Sequence, residues 1–239
     1  MGKPLAVIKA GDTFPDLAGD NGDFEDWIIR GMGRDSALCP VINAEKEEPL
    51  PVPETLAGAV ISGSHAMVTQ DLDWSLVLER WTVEMVRAGV PVLGICYGHQ
   101  ILARATGGRV DFHPEGAEVG ATEVTCLPAC ETDPLFKGMP GRFKAHVVHS
   151  QSVVELPGQA VLLARNDYEP HHAFRVGKAA WGVQFHPEFF EAVSRGYTLK
   201  MADTLTAQGQ DPERVLAGIE ATPDAADLLR RFGDLALGA

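Results

Sequence analysis

Short apolar runs that alternate with helical patterns constrain the fold of this chain more than any other feature. Residues 5–8, 59–61 and 90–95 are rich in Val and Ile and are bounded by Gly, Pro or Ser. Such runs are typical of buried strands, and a further strand is predicted at residues 38–42. Strands that alternate with helices favour a parallel sheet covered by helices. The sequence therefore predicts an α/β fold: an open, mostly parallel sheet with helices on both faces.

The helical patterns lie between these strands. Apolar side chains recur four, three and four residues apart from Trp74 to Met85, which places them on one helix face. Gly89 follows the pattern and is expected to end the helix. A shorter apolar pattern at Phe24 and Trp27 predicts an amphipathic helix before the strand at residues 38–42.

The second half of the chain shows a different pattern of apolar runs and turn residues. Between residues 107 and 180, short β-like runs at 119–124, 161–163 and 179–183 stand among many turn residues. We expect these runs to extend or flank the main sheet.

The C-terminal tail is helical in pattern and is divided by Pro212 and Pro223. Residues 1–239 are expected to form a single domain, because no linker separates a second one. Within it, residues 194–239 are expected to be a peripheral helical extension.

The charge balance excludes several classes of partner. The chain has 20 Lys and Arg against 33 Asp and Glu, a net charge of −13. Broad nucleic-acid binding and binding to an anionic membrane both need a basic surface. No apolar run approaches the roughly 20 residues of a spanning helix, and the N-terminus lacks the features of a signal peptide. A cytoplasmic location is therefore expected.

The four cysteines do not form the framework of a small disulfide-stabilised protein. Cys39, Cys126 and Cys130 lack any context that would make them reactive, and we expect them to be buried structural residues. Cys126 and Cys130 are not accompanied by further ligands at the spacing of a zinc site. No metal and no organic cofactor are expected.

The fourth cysteine lies in the most informative segment, residues 92–103. A hydrophobic strand runs into Gly94-Ile95-Cys96-Tyr97-Gly98 and a helical run follows. This is the pattern of a nucleophile elbow, with Cys in place of Ser. The strained turn brings the residues at both ends of the motif close together, so both are Gly. The helix N-terminus favours a thiolate, and the amide of Tyr97 is free to stabilise an oxyanion.

A thiol nucleophile needs a base, and the base needs an orienting partner. His186 follows strand-like residues, and Pro187 favours extended backbone at that position. Residues two apart in an extended segment point the same way, so Glu188 would lie beside His186. The carboxylate could then fix the tautomer of the imidazole and stabilise its charged form.

Other histidines remain as alternatives. His171 and His172 are adjacent in a turn that we expect to face solvent or substrate, and no carboxylate or Cys pattern supports a metal there. His113, His146 and His149 lie in the turn-rich region and could line a pocket. On the geometry of the sequence alone, His186 is the best of several candidates.

Together these motifs resemble the class I glutamine amidotransferases, a family with a Cys, His and Glu triad. The resemblance covers roughly residues 5–190 and rests on GICYGHQ at residues 94–100 and QFHPE at residues 184–188. It implies a flavodoxin-like open sheet, with the active site at the carboxyl ends of the strands. Within the family, the motifs are most similar to those of the glutaminase domain of GMP synthetases, and the domain is expected to be free-standing here.

The resemblance also implies roles for individual residues. Cys96 would attack the side-chain amide carbon of glutamine to form a γ-glutamyl thioester, with His186 moving the protons and Glu188 orienting it. The family's Gly-Gly-Pro turn corresponds here to residues 61–65. The resemblance therefore implies that the amides of Gly63 and Tyr97 stabilise the oxyanion.

The same resemblance indicates where the substrate binds. Gln100 matches a position of the glutamine pocket. Residues 148–157 are similar to the Ser-His-Gly-Asp stretch that contacts the amino-acid end of glutamine, which assigns substrate contacts to His149, Ser150 and Gln151. Ser150 and Gln151 replace the family's Gly and Asp, and the alternative for both is a hydrogen-bonded turn.

Three functional hypotheses remain open, because no pyrophosphatase loop and no Walker loop occurs in the sequence. The first is a free-standing hydrolase of glutamine or another γ-glutamyl compound, including the γ-glutamyl peptidase variant. The second is a glutaminase subunit that needs a separate synthetase partner. The third is a non-catalytic binding protein on the same fold.

Overall fold

A computed structural model of the chain describes residues 2–238, which form eleven strands and eight α-helices. The strands are β1 (Leu5–Lys9), β2 (Val41–Asn43), β3 (Gly58–Ile61), β4 (Val92–Ile95), β5 (Arg109–Phe112), β6 (Glu118–Cys126), β7 (Arg142–His149), β8 (Gln151–Glu155), β9 (Val161–Arg165), β10 (Ala173–Val176) and β11 (Ala180–Val183). The helices are α1 (Pro15–Asn21), α2 (Phe24–Met32), α3 (Asp73–Ala88), α4 (Tyr97–Ala105), α5 (Glu191–Lys200), α6 (Ala202–Ala207), α7 (Pro212–Ala217) and α8 (Pro223–Leu237).

Nine strands form one open sheet in the order β2-β1-β3-β4-β11-β10-β9-β6-β7, and β5 pairs with β8 apart from it. The half from β2 to β11 is parallel, and the half from β11 to β7 is antiparallel. The predicted α/β sheet is thereby confirmed. The runs at residues 119–124, 161–163 and 179–183 all become strands of this main sheet, as expected.

Helices cover both faces of the parallel half. Alternate residues of β1 face opposite cores: Leu5 and Val7 pack on one side, Ala6 and Ile8 on the other. The first core is closed by α2 and α8, and the second by α3 and α4. All four strand residues are almost fully buried, which explains why β1 reads as a continuous apolar run rather than an alternating one.

Two strand boundaries differ from the sequence prediction. Residues 38–42 are not one strand: a 3₁₀ turn at Ser36–Leu38 is capped by the side chain of Asp35, and β2 begins only after Pro40. Proline has no N–H to donate to a strand ladder. Residues 90 and 91 also lie outside β4, since the Val90 amide bonds back to α3 and helps to close that helix.

The tail from residue 194 is helical, as the sequence predicts, but it is not only a peripheral layer. Leu228, Leu229 and Phe232 of α8 are fully buried against the sheet. This helix therefore supplies one of the layers that cover the strands. Among residues 2–238, no helix combines the length and the apolar character needed to cross a membrane.

The order of the central strands determines where the two sequence motifs meet. β4 and β11 are parallel neighbours, with Gly182 opposite Gly94 and Val183 opposite Ile95. The segments that follow the two strands therefore leave the sheet at the same edge. Cys96 follows β4, and residues 184–188 follow β11.

Candidate active site

Cys96 occupies the turn between β4 and α4 in a strained backbone conformation, with φ of 49° and ψ of −95°. A non-Gly residue held in such a region costs roughly 1–3 kcal/mol and persists only where the surrounding structure enforces it. The amide of Cys96 donates to the carbonyl of Val183 at 2.8 Å, which ties the turn to β11. The structure thus has the elbow geometry that the sequence predicts.

The two elbow glycines are required by close backbone packing. A Cβ atom on Gly94 would overlap the carbonyl group of Gly98, and one on Gly98 would lie 2.6 Å from the carbonyl oxygen of Ile61 on β3. Neither obstacle is a flexible side chain that could rotate away. The close approach of α4 to β4 and β3 therefore depends on the absence of side chains at both positions.

We expect Gly98→Ala to lower the free energy of unfolding by about 2 kcal/mol, because the added methyl group must push α4 away from β3. Gly158→Ala is the matched control, since a Cβ there meets nothing within 4 Å. That control should change stability by less than about 0.5 kcal/mol. Urea unfolding of both variants measures the difference, and equal stabilities would contradict the packing argument.

His186 and Glu188 form a buried pair beside the elbow. Nδ1 of His186 lies 2.7 Å from Oε1 of Glu188, and both residues are at most 5% exposed. The backbone amide of His186 donates to the carbonyl of His146, which fixes the segment after β11. With Nδ1–H donating to the carboxylate, Nε2 is left for another partner. It has none among residues 2–238 of the protein.

The electrostatics of this pair favour a charged imidazole. Burial opposes the charge, but the Glu188 carboxylate and the Cys96 sulfur outweigh it and raise the pKa of His186 to about 10. His99 shows the opposite case: it is fully buried without a carboxylate beside it, and burial lowers its pKa well below the ordinary value. The acid beside His186 therefore decides its protonation state.

Two aromatic rings hold the imidazole of His186. Phe189 stacks on it with ring centres 4.0 Å apart, and Phe24 lies nearly parallel to it at 6.5 Å. Phe24 and Phe189 are both buried. The ring of His186 therefore has little freedom to rotate, and its hydrogen bond to Glu188 is shielded from water.

Of the sequence-predicted oxyanion donors, Tyr97 directly follows Cys96 and Gly63 lies beside His186. Gly63 follows β3, and a Cβ on it would lie 3.1 Å from Cε1 of His186. The hydroxyl of Ser62 donates to the Gly63 carbonyl and fixes this turn. Neither amide donates to a hydrogen-bond acceptor within residues 2–238. Both remain available to a bound group.

A cavity of about 320 Å³ opens over Cys96. The four residues expected to contact substrate all line it: Gln100, His149, Ser150 and Gln151. We call these four residues the polar wall. Of the residues predicted from the sequence, Cys96, Tyr97 and His186 also line this cavity. Glu188 and Gly63 do not line it, but each lies beside His186.

Hydrogen bonds show how much of the polar wall is free. Nε2 of Gln100 donates to the Gln151 carbonyl at 2.8 Å, and the side-chain amide of Gln151 bonds to Thr69. These two side chains therefore hold the wall together. The hydroxyl of Ser150 makes no hydrogen bond among the described residues, so it can contact a ligand.

Behind the polar wall, His149 belongs to a buried charged cluster that sequence reasoning missed. Its Nε2 lies 3.0 Å from the Glu118 carboxylate, which His172 also approaches at 3.4 Å. Asn166 donates to the other carboxylate oxygen at 2.7 Å. Burial would raise the pKa of Glu118, but the two histidines hold it far below its usual range. Burial likewise opposes the charge on His149, yet Glu118 raises its pKa.

We expect Glu118→Gln to lower the free energy of unfolding by about 3 kcal/mol, because it leaves a buried imidazolium without its counter-ion. At pH values above 4.5, the ordinary pKa of glutamate, the Glu118 carboxylate stabilises the fold, and this contribution is lost as the pH falls. At pH values below 6.5, the His149 imidazolium stabilises the fold, and this contribution is lost as the pH rises through the raised pKa of His149. The deficit should therefore be largest between pH 4.5 and 6.5.

Urea unfolding at pH 5.5 and pH 9 tests this pH dependence. Glu123→Gln is the control, because Glu123 lies on the same strand but is exposed and pairs only with the exposed Arg142. A deficit of Glu118→Gln that is the same at both pH values would contradict the charged pair.

His113, His146, His171 and His172 are not among the residues that line the cavity. His172 is fully buried and faces Glu118, so the expectation that it faces solvent or substrate is wrong. His113 stacks on Tyr168, and His146 hydrogen-bonds through its ring to the backbone of the C-terminal region. Of the three histidines of the turn-rich region, only His149 borders the cavity over Cys96.

The other cysteines lie away from the cavity. Cys39 and Cys130 are buried, and the thiol of Cys130 donates to the Leu163 carbonyl at 3.0 Å. Cys126 is partly buried, which is more exposure than the sequence suggested. Among residues 2–238, no group of three or more His, Cys, Asp or Glu side chains is arranged to hold a metal ion.

A second group of residues that line the cavity was not predicted. It consists of Phe14, Phe24, His65, Tyr197 and Met201, which we call the aromatic wall. The apolar pattern of α2 indicated that Phe24 is buried, but not that it faces a ligand site. Tyr197 and Met201 lie in the tail that was expected to be peripheral, so no local signal pointed to them.

Comparison with known proteins identifies the family. The family model described as "Glutamine amidotransferase class-I" matches residues 17–201. A glutamine-hydrolyzing GMP synthase of Aeropyrum pernix is 37% identical over 67% of this chain and 29% of its own length. One subunit of a glutamine-hydrolyzing GMP synthase from Methanopyrus kandleri is 35% identical over 59% of this chain and 71% of its own. The chain thus spans less than a third of the first relative.

A second group of relatives carries a different name, and a solved structure shares the fold. Gamma-glutamyl peptidase 3 of Arabidopsis thaliana is 30% identical over 66% of this chain and 70% of its own length. The crystal structure of a glutamine amidotransferase from Thermotoga maritima superimposes over 100% of both chains with a TM-score of 0.78, at 20% identity. The family match spans the cysteine elbow and the His-Pro-Glu segment alike, and the chain belongs to the class I glutamine amidotransferase family.

Proposed function

We propose that this protein is a cysteine-dependent hydrolase of γ-glutamyl amides, with glutamine as the default substrate. The observation that carries the proposal is that a strained Cys96 and His186, which is paired with the buried Glu188, line the same cavity. A nucleophile, its base and an orienting acid in this order are the parts that acyl transfer requires. The family and the gamma-glutamyl peptidase relative support the γ-glutamyl group as the acyl part.

The proposed reaction has two halves. The sulfur of Cys96 bonds to the amide carbon of the substrate while His186 holds the thiol proton, and the amides of Gly63 and Tyr97 donate to the oxyanion. The C–N bond then breaks, His186 gives its proton to the leaving nitrogen, and ammonia or an amine departs. Water, deprotonated by His186, attacks the thioester, and glutamate and the free thiol form. Glu188 stabilises the imidazolium in both halves.

The polar wall provides a place for the amino-acid end of the substrate. The Ser150 hydroxyl is free to bond to it, and the Glu118 carboxylate raises the pKa of His149, which favours the charged form of that ring. Gln100 and Gln151 position this wall through bonds to the backbone and to Thr69. No metal or organic cofactor has a part in these steps.

We propose that residues 1–239 act as one domain, with 194–239 as its C-terminal extension.

A second candidate function follows from the Methanopyrus relative, which is named as one subunit of a GMP synthase and of which this chain covers 71%. By that relationship the protein would be the glutaminase subunit of a two-subunit synthetase. Purification from the native host would then yield an ATP-using partner that raises glutamine hydrolysis. Full activity of the pure chain, without any such partner, would contradict this candidate.

A trapping experiment tests the proposed chemistry directly. Pure protein is mixed with glutamine or a γ-glutamyl amide and hydroxylamine, which competes with water for the thioester. We expect glutamate together with γ-glutamyl hydroxamate. In a parallel sample that is quenched in acid without hydroxylamine, we expect a γ-glutamyl group on the peptide that contains Cys96. An acyl group on the peptide of Cys39 instead, or no product from any γ-glutamyl compound, would contradict the proposal.

A further inference from the structure

The cavity over Cys96 has two unlike sides, and the proposed function uses only one of them. The polar wall accounts for the glutamyl part of a substrate. The aromatic wall lines the same cavity, and ammonia, the leaving group of glutamine, has no apolar group that would contact it. The inference below rests on the proposed function and names the class of amide that this wall favours.

The aromatic wall is a continuous packed surface. The ring of Phe14 lies 4.4 Å from that of His65 and 5.3 Å from that of Tyr197, centre to centre. The hydroxyl of Tyr197 bonds to both Thr13 and the His65 ring, at 2.8 Å and 3.0 Å. These bonds occupy the Tyr197 hydroxyl and Nε2 of His65. The surface that remains for a ligand is therefore mainly hydrocarbon and ring faces.

This wall lies on the side from which the leaving group departs. In amide cleavage, the base that takes the thiol proton gives it to the leaving nitrogen, so the leaving amine must lie next to His186. Phe24, a member of the wall, is nearly parallel to the His186 ring at 6.5 Å. A substituent on the leaving nitrogen would therefore extend along Phe24 towards Phe14 and Tyr197.

The wall is also uncharged. Burial lowers the pKa of His65 and raises the pKa of the Tyr197 hydroxyl, so both are neutral near pH 7. No Lys or Arg is among the described residues that line the cavity. Lys200 lies over the ring of Phe14 at 5.3 Å, and its ammonium is paired with Asp16. A leaving group that carries a carboxylate, as in a γ-glutamyl peptide, would find no counter-charge here.

The cavity has room for a substituent of moderate size. An apolar cavity of about 150 Å³ can hold a benzene molecule, and this one measures about 320 Å³. Half of its volume would therefore accommodate a ring beside the glutamyl group.

From this arrangement we propose that the preferred substrates are γ-glutamyl amides of apolar primary amines, with the amine substituent bound against Phe14, Phe24 and Tyr197. An alkyl or aryl amine would then be the second product, in place of ammonia. The reaction class that supplies such a substrate is the condensation of glutamate with the corresponding amine.

Three substrates with the same acyl part test the proposal: γ-glutamyl-benzylamide, glutamine and γ-glutamyl-glycine. We expect kcat/KM for the benzylamide to exceed that for each of the others by about 10–100-fold, the range that one apolar contact group supplies. The Cys96→Ala variant should bind the benzylamide more tightly than glutamine by a similar factor in titration calorimetry.

Variants of the wall provide the second part of the test. Phe14→Ala should lower kcat/KM for the benzylamide at least about ten-fold more than that for glutamine. Phe190 is an aromatic residue that does not line the cavity. Phe190→Ala should therefore leave the ratio of kcat/KM for the benzylamide to kcat/KM for glutamine unaltered. Met201→Lys adds a cation to the aromatic wall and should raise kcat/KM for γ-glutamyl-glycine relative to the benzylamide. This second variant tests the wall even if Phe14→Ala does not fold.

The outcomes separate this inference from the proposed function. Hydrolysis of glutamine or γ-glutamyl-glycine at a higher kcat/KM than the benzylamide would overturn the inference and leave the Cys96 chemistry intact. Glutamate from none of the three, with no acyl group on Cys96, would overturn both.

Discussion

Replacing Cys96 by alanine is expected to lower kcat for glutamate release by about 10⁴-fold or more, because removal of a covalent nucleophile leaves only binding and oxyanion stabilisation. Substrate binding should persist, since the side chains of the polar wall are held by one another and by Thr69 rather than by the thiol. Cys126→Ala is the matched control, as Cys126 is a partly buried thiol outside the cavity. It should retain the full rate.

A second variant separates the strain of the elbow from its chemistry. Cys96→Gly should be equally inactive but more stable than Cys96→Ala by about 1 kcal/mol, since glycine adopts a positive φ without penalty. The φ of 49° at this position is the basis of the expectation. Thermal unfolding of the two variants measures the difference. Residual activity in either variant within ten-fold of the wild type would contradict a Cys96 nucleophile.

The parallel half of the fold could be predicted because its signals are local. The strands β1, β3 and β4 are short apolar runs that contain Val and Ile, and the periodic apolar face of α3 extends over about three turns. The exceptions also have local causes: the turn that the Asp35 side chain caps and the position of Pro40 shortened the predicted strand at residues 38–42. Sequence reasoning could not give the order of the antiparallel strands, since nothing in a strand's own residues specifies its neighbour.

The same distinction explains which parts of the candidate site could be foreseen. Cys96, His186 and Glu188 lie in motifs whose residues are close in sequence, so their pattern is visible in the chain. The cluster around Glu118 joins strands and turns that are distant along the chain. Tyr197 reaches the cavity from a helix that carries no motif. Such contacts arise from tertiary packing alone.

Replacing Glu188 by glutamine is expected to lower kcat by about 10³–10⁴-fold with little change in the size of the side chain. The amide can still reach Nδ1 of His186, but it can donate as well as accept. It therefore permits the tautomer in which Nε2 carries the proton and cannot take one from Cys96. Glu191→Gln, three residues on and exposed, is the control and should keep the wild-type rate.

The pH dependence of this variant distinguishes a charge effect from a loss of structure. In the wild-type protein, Glu188 and Cys96 outweigh burial and raise the pKa of His186 to about 10, so the imidazolium persists through the neutral range. Without the carboxylate, burial should lower that pKa, as it does for His99. The His186 ring, followed by NMR against pH, should then lose its proton below pH 7 in Glu188→Gln. A wild-type titration curve in the variant would show that Glu188 does not control the charge of His186, and the orienting role proposed for it would fail even if the activity were lost.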